Sequence, residues 1–529
     1  MKLQLQGPLW KEAQAVICRL NESGYSAYMV GGCVRDTLLG RPIHDVDIAT
    51  SALPDEVAAL FDRVIPTGIA HGTVTVLMGE HTYEVTTFRR ESAYADYRRP
   101  EHVEYITDLT EDLERRDFTI NAMALAADGS IIDPFGGQQD LISRNIRCVG
   151  SARERLNEDA LRMLRGIRFA SVLNMRMTKS TWRAIRETRS KLKHIAMERI
   201  RDELWKLLAG PYPARGWAMV VRSCVLAYVK EPVGYLATGL CEARSDSFKG
   251  KAAANDIDLT VIESGAHDQA ASLQQPSSIW NALGQVTTPE LRMAVLALSH
   301  RASLEEAAQV LAALRLSGAQ QDAILGVLHA HALLAQAAIP PAACANVSAA
   351  EDGAAALRRA VAQAVLAYGE TAVRGALACG RAWLAASDSI ATQRVDDCAA
   401  PKINELPPQA LVDADVTARI GGSANSSSNK ELTLPMTSGS CSDTQPTGSG
   451  IMLWKMLLNE GDRWIHDLPV RQLKDLAISG KDVLKRIDRP AGPWVRACLE
   501  GIWLDVALGI VDNNVYMLQQ HLERKWGAS

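Results

Sequence analysis

The sequence predicts an α+β chain, with a small mixed β-sheet confined to residues 1–150 and helices throughout the remainder. Three observations carry that prediction. Residues 25–140 alternate short β-branched runs with helical stretches and include one hairpin signal. After Gly150 the strand character disappears and the chain reads as helix upon helix. Two segments, about 239–278 and 386–450, are rich in Ser, Gly, Ala and Asp; they cannot bury enough apolar surface to offset chain entropy and read as an insertion and a linker.

Taken in order, Trp10, Ala13, Val16, Ile17 and Leu20 fall on one face of a helix that ends at Gly24. A strand over Ala27–Val30 leads into the pair Gly31-Gly32 and a short helix carrying Arg35 and Asp36. Asp45 and Asp47 follow, spaced i, i+2. Thr73–Met78 and Thr82–Phe88 flank a turn at Gly79–His81 and read as an antiparallel hairpin, with Glu84 on the face it shares with Thr82 and Thr86. Residues 89–102 have no clear period and read as an ordered but mobile loop. A helix is expected over Leu113–Ala127, carrying Arg115-Arg116-Asp117, and another over Asn157–Phe169.

The 529 residues exceed one ordinary core and argue for two to four domains. With 47% hydrophobic and 22% charged residues, and no apolar run approaching the roughly 20 needed to span a bilayer, the composition is that of a soluble cytoplasmic protein with no membrane partner. The N-terminal stretch lacks the apolar core of a signal peptide. Ten cysteines without a C-x-x-C pair indicate neither a disulfide framework nor a zinc site, and predict reduced, mostly buried thiols. The net charge is −4, yet Arg144–Lys206 holds 17 Lys and Arg against 7 Asp and Glu. Such a basic block within an acidic chain marks a face for phosphates.

The glycine pair, set between a strand and a helix, offers backbone N–H groups to a phosphate. In an extended strand Asp45 and Asp47 project to the same side, and two carboxylates held that close resist joint ionisation unless a cation sits between them; the pattern suggests Mg²⁺. Glu84 is a candidate third carboxylate. This set suits nucleotidyl transfer by two metals, which needs little acid–base machinery from the protein. Arg116 can neutralise phosphate and Asp117 can accept from ribose hydroxyls.

In the stretch NEDALRMLRGIRF, Asp159, Arg162, Arg165 and Arg168 recur every three residues. An aspartate that accepts from an exocyclic amine beside an arginine that donates to a ring nitrogen matches cytosine (N4, N3) and adenine (N6, N1) alike. Guanine and uracil reverse that order. Asp159 with Arg162 would thus select C and A, with Arg165 and Arg168 orienting the pair or holding phosphate.

The set GGCVRD–DVD, RRDFTIN, EDALRMLR and ERIRDELWKLL resembles, in order and spacing, the class II tRNA nucleotidyltransferases, the CCA-adding enzymes of the DNA polymerase β superfamily, and their poly(A) polymerase relatives. The match is close over about residues 20–210, and ISGKDVLKRIDRPAGPWVRACLEGIWLDVALGIVDN is similar to the tail of Bacillus-type members. The resemblance implies a catalytic head (1–150), neck helices bearing the base-reading motif (151–238), a helical body (279–385) and a tRNA-binding tail (451–529), interrupted by the segments 239–278 and 386–450. It implies CTP and ATP as substrates, the tRNA 3′ end as acceptor, contact with the tRNA elbow, and room for a homodimer. Asp45 and Asp47 would hold the metals, Gly31, Gly32 and Arg35 the triphosphate, Arg116 and Asp117 phosphate and ribose, and Asp159, Arg162, Arg165 and Arg168 the base. ERIRDELWKLL would be the neck helix that steadies the base-reading helix. The loop 89–102 favours addition of the terminal A as well.

Several alternatives stand beside this reading. An A-adding-only enzyme would need the same loop and Asp/Arg pair. A bacterial poly(A) polymerase would carry G-[RK]-R-F where this chain has Gly166-Ile167-Arg168-Phe169. An inactive RNA-binding protein would have lost a metal carboxylate, and a nucleotidyltransferase of small molecules would lack the base-reading helix.

Overall fold

The short apolar runs of the first 135 residues become strands of one sheet, because each is too short to bury itself except against its neighbours. The computed structural model describes residues 7–69, 72–91, 103–237, 276–339, 349–397, 448–487 and 489–527. The chain divides into two units, Met1–Ala266 with Ala308–Gly318, and His267–Ala307 with Ala319–Ser529.

In the first unit, helix α1 (Pro8–Glu22) precedes β1 (Ala27–Val30), α2 (Gly32–Leu38), β2 (Asp47–Thr50), α3 (Pro54–Leu60), β3 (Val64–Gly68), β4 (Thr73–Met78) and β5 (His81–Thr87). A separate two-stranded ribbon, β6 (Arg89–Glu91) with β7 (Val103–Tyr105), is followed by α4 (Leu109–Glu114), β8 (Ala124–Leu125) and β9 (Ile131–Ile132). The sheet order is β3-β4-β5-β2-β1-β8-β9; only β2 and β5 run parallel, so the sheet is mixed as predicted. The predicted hairpin is β4–β5, closed at Met78↔His81. Val30 and Ala49 join Phe88, Leu113 and Val149 in one cluster, while Met29 and Ile48, one residue out of phase, are equally buried. Both faces of the sheet are therefore covered. α1 buries the five residues its periodicity named.

Helices α5 (Gly137–Ile142), α6 (Ala152–Glu158), α7 (Arg162–Val172), α8 (Lys179–Thr188), α9 (Met197–Ala209) and α10 (Pro213–Ser223) follow. One departure from the all-helical expectation is a small parallel pair, β10 (Asn145–Ile146) with β11 (Arg176–Met177). The helix expected over Leu113–Ala127 is absent. α4 stops at Glu114, and a single 3₁₀ turn at Thr119–Asn121 and β8 take its place. The Asp117 carboxylate accepts from the backbone N–H of Phe118 (2.8 Å), an alternative to helical bonding that fixes Phe118 in extended geometry. Nor is Asn157–Phe169 one helix. Asp159 is extended (φ −131°, ψ 106°) and separates α6 from α7.

The second unit is helical, built from α11 (Pro276–Gln285), α12 (Pro289–Ser299), α13 (Leu304–Ala313, shared with the first unit), α14 (Gly318–Ala337), α15 (Ala349–Tyr368), α16 (Glu370–Asp397), α17 (Gly448–His466), α18 (Gly480–Arg486), α19 (Pro493–Ala507) and α20 (Val515–Trp526). α16 runs past the expected body edge at 385, and most of the two low-complexity segments, 238–275 and 398–447, lies outside the described residues, as does 92–102 of the loop. No described helix is long and apolar enough to cross a membrane. Cys18, Cys33, Cys148, Cys379 and Cys498 are free thiols; Cys224 departs from the expectation and is disulfide-bonded.

His331 on α14 is buried against Trp454 (ring centroids 5.3 Å apart), and neither ring nitrogen has a hydrogen-bond partner among the described residues. Burial pushes its pKa down to about 4 from 6.5. The unfolded imidazole takes up a proton that the folded one refuses, so this contribution to stability is full above pH 6.5. It is lost as pH falls to 4, by about 3 kcal/mol at most. Denaturant midpoints measured from pH 7 to 4 should show that slope, and His331→Leu should flatten it; equal slopes would assign the titration elsewhere.

Candidate active site

Gly31 has φ 77°, a backbone open to glycine, and a side chain there would approach within 3.2 Å of Arg116 Nη1. The turn thus lets the chain pass between Arg116 and Asp47 before α2 begins at Gly32. Asp47 opens β2, whereas Asp45 lies on the segment leading into it, so the two do not share a strand as the spacing suggested. Glu84 is the residue across from Asp47 in the parallel β2–β5 register.

The electrostatics agree with that placement. Asp47 keeps solvent access at its surface, yet loss of solvent around the carboxyl, then Asp45 and Glu84, push its pKa up to about 6 against the pull of Arg116. Among the described residues no group of three His, Cys, Asp or Glu is spaced to enclose a metal unaided. The residues fit a hard cation that takes its remaining oxygens from a bound ligand, since mutual repulsion leaves the carboxylates short of positive charge. Cys33 is buried beside them, its thiol pushed up to about 12 by burial and by Asp47; its Sγ donates to the Val30 carbonyl (3.3 Å). It is an inert packing group.

A layer of guanidinium groups faces this corner. Arg116 bonds Asp112 (3.2 Å), as does Arg115 (2.8 Å); burial opposes ionisation of Asp112, and the two arginines together hold it below the usual carboxylate range. The Nε of Arg116 is buried without a partner among the described residues. Arg35 chelates Asp36 (2.6 and 3.0 Å) and donates to Asn121 Oδ1 (2.7 Å). Asn121 in turn donates to Asp117 Oδ1 (3.1 Å), which also receives the Phe118 N–H, and Arg165 gives both Nε (2.8 Å) and Nη2 (2.7 Å) to Asp117 Oδ2. The four acceptor positions of that carboxylate are occupied. Burial works against the Asp117 charge, but Arg165 and Asn121 outweigh it and hold the group down at about 2. The ribose contact expected of Asp117 has no acceptor left; the residue reaches the site through Arg165 and Asn121.

Asp159 and Arg162 are linked through the backbone, the Arg162 N–H donating to the Asp159 carbonyl (3.0 Å), and each side chain has partners of its own. Asp159 accepts from Arg199 Nη2 (2.8 Å) and from the Leu161 N–H (3.0 Å), and Arg162 binds Glu158 (2.6 Å) and the carbonyls of Arg155 and Arg115 (3.0 Å each). Glu203, buried on α9, receives Arg168 (2.6 Å) and lies 3.8 Å from Arg165. Arg199 and Glu203 therefore brace α7 and the segment before it, the part expected of the neck helix. Sequence reasoning did not single them out as partners, although their i, i+4 spacing places both on one face of α9. It also missed the Phe169 ring, around which the guanidinium carbons of Arg168, Arg35 and Arg165 stand at 4.1, 5.1 and 5.5 Å.

Residues 27–147 match the poly A polymerase head domain, 174–232 a domain described as the probable RNA and SrmB-binding site of polymerase A, and 456–522 the putative domain 2 of tRNA nucleotidyltransferases. The CCA-adding enzyme of Bacillus cytotoxicus is 53% identical over 214 residues, 40% of this chain and 54% of that protein. That of Limosilactobacillus reuteri is 51% identical over 216 residues, 41% and 54% of the two. The chain thus aligns with about half the length of these curated relatives. The Bacillus stearothermophilus CCA-adding enzyme, solved in complex with CTP, is 29% identical with a TM-score of 0.65 across 99% of both chains, and an apo CCA-adding enzyme at 17% identity and a TM-score of 0.59 shares the fold. The motifs, the mixed sheet with its acidic corner and these likenesses together mark residues 27–147 as a poly A polymerase head domain and make the chain similar to the CCA-adding enzymes.

Proposed function

We propose that this chain adds the 3′-terminal CCA to tRNA from CTP and ATP without a nucleic acid template. The observation that carries the reading is the gathering of Asp45, Asp47 and Glu84 beside a glycine turn faced by Arg116 and Arg35. Asp45 and Asp47, with Glu84 in support, would hold divalent cations, Mg²⁺ in this reading. Such ions supply Lewis-acid stabilisation of the triphosphate and of the attacking ribose hydroxyl. The N–H groups of Gly31 and Gly32 with the guanidinium groups of Arg35 and Arg116 bind and orient the phosphates.

Base choice falls to Asp159 and Arg162. Arg199 holds Asp159 in place as an acceptor, and Glu158 holds Arg162 in place as a donor, so an incoming C or A meets both groups already oriented. Arg165 and Arg168 hold their positions around Phe169 and stiffen the helix behind them. The division into head, neck, body and tail, the tail's contact with the tRNA elbow, a homodimer and a cytoplasmic location belong to the same proposal.

Incubating the protein with a tRNA transcript lacking CCA and each nucleotide separately tests it. CTP alone should add two residues, and ATP one more only afterwards. Addition of A alone would indicate an A-adding enzyme, and a long A tract a poly(A) polymerase. Arg162→Ala should relax discrimination against UTP and GTP by about tenfold to a hundredfold, the worth of one good base contact, while tRNA affinity changes little. Unchanged base selectivity would remove Arg162 from the reading role.

A further inference from the structure

A cavity of about 500 Å³ opens at the far end of α7 from Arg162. Eleven helical residues separate the two ends, about 15 Å. The floor is apolar, with Leu141, Leu173 and Met175 buried; Arg41 and Arg144 line its walls and Tyr212, 46% exposed, stands at its rim.

The charge around this cavity is out of balance. Arg41 donates to the Val172 carbonyl (3.3 Å), Arg144 to Asn174 (3.4 Å) and Arg215 to Met175 (2.9 Å), and Arg176 is bonded through its backbone N–H to the Arg144 carbonyl (2.7 Å). Capping the end of α7 explains part of this arrangement, because a helix C-terminus carries about half a negative charge. Half a charge does not offset the guanidinium groups of Arg144 and Arg215. Among the described residues neither Arg144 nor Arg215 has a carboxylate partner. Asp36 lies 3.8 Å from Arg41 but is chelated by Arg35. Arg215 feels the crowding: burial first, then Arg176 and Arg144, lower its pKa.

The backbone is strained at the same spot. Arg144 and Asn174 both adopt left-handed geometry (φ 53° and 51°), the first immediately before β10 and the second two residues before β11. Natural chains tolerate local cost of this kind where it serves binding.

We infer that this cavity is a second RNA subsite, which takes one nucleotide of the acceptor strand upstream of the growing 3′ end, with its phosphate on Arg144 and Arg41 and its base on the Tyr212 ring. The inference rests on the proposed use of RNA as acceptor. The chemistry argues for this occupant, because Arg144, and Arg41 whose neighbouring Asp36 is already chelated by Arg35, call for an anion, while an exposed aromatic ring above an apolar floor calls for a flat, sequence-indifferent partner. The volume suits one nucleotide.

Three full-length variants test it. Arg144→Asn keeps a residue that accepts left-handed geometry, Tyr212→Ala keeps the backbone carbonyl that receives Ser171 Oγ, and Arg41→Gln keeps a donor for Val172. Affinity for a tRNA transcript lacking CCA is measured across a salt series, together with KM for CTP. Each variant should weaken tRNA binding about fivefold or more. Arg144→Asn and Arg41→Gln should each reduce the slope of log K against log salt by about one, whereas Tyr212→Ala should leave it unchanged. KM for CTP should stay at the wild-type value. Unchanged tRNA affinity and slope in folded Arg144→Asn or Arg41→Gln would overturn the inference, and so would Arg144-dependent binding of free CMP with tRNA affinity unaltered. If the wild-type chain adds nothing to the transcript, the proposed activity falls, while the affinity comparison still decides the cavity.

Discussion

Alanine at Asp47 should reduce incorporation of both CTP and ATP by about a thousandfold or more, since it removes charge stabilisation that every addition shares. Stability should not fall with it. Asp47 is a strained carboxylate, pushed up to about 6 by burial and by Asp45 and Glu84, and deleting it relieves a like-charge contact. The thermal midpoint should therefore hold or rise, as expected where a site is built for chemistry at some cost to the fold. tRNA affinity should stay within about twofold, because in the proposed function the phosphate contacts fall to the basic stretch 144–206 and not to Asp47. Single-turnover incorporation, thermal melting and filter binding on one preparation separate the three effects. Near-normal turnover in Asp47→Ala would end the assignment of this corner to catalysis; parallel loss for C but not A would move Asp47 into base selection. Glu84→Gln is the companion variant. Its register opposite Asp47 would make it a supporting ligand in the proposed site, and a milder loss than at Asp47 is the expected result.

Much of the head was legible because short-range rules act there without competition. The strand, glycine turn and helix over 27–38, the hairpin at Gly79 and the buried face of α1 each follow from spacing alone. The stretches that misled are those where a side chain competes with backbone bonding. Asp117 caps its own turn, so a run that reads as helical from 113 to 127 is broken. Asp159, in a segment of good helix formers, is pulled out of helical geometry and paired with Arg199, forty residues downstream. No local pattern announces a partner at that distance. The same holds for Glu203, whose meaning lies in two arginines on another helix, and for the left-handed Arg144, whose residue type gives no hint of its conformation.

That competition also makes Asp117 the position where loss of a single carboxylate should cost the fold most. Asp117→Ala leaves the half-buried Arg165 without its main counter-ion, Asn121 without its acceptor and the Phe118 N–H unpaired. Removing one partner of a buried pair costs about 3–5 kcal/mol, and the carboxylate's pKa of about 2 shows how strongly its neighbours favour the charge. Glu203, 3.8 Å from Arg165, compensates only in part. The damage should reach the chemistry through Asn121, which orients Arg35 by accepting from its Nη1, so KM for the nucleotide should rise in the fraction that remains folded. Discrimination between CTP and dCTP should not change, because the acceptor positions of Asp117 are filled and it has none to offer a ribose hydroxyl. Asp117→Asn sharpens the test: it preserves shape and the bond from Phe118 but loses the charge facing Arg165, and should fall between wild type and alanine in urea midpoint. Two results would overturn this account. A variant as stable as wild type would mean that Arg165 finds another counter-ion, and a stable variant that accepts dCTP would return Asp117 to the ribose.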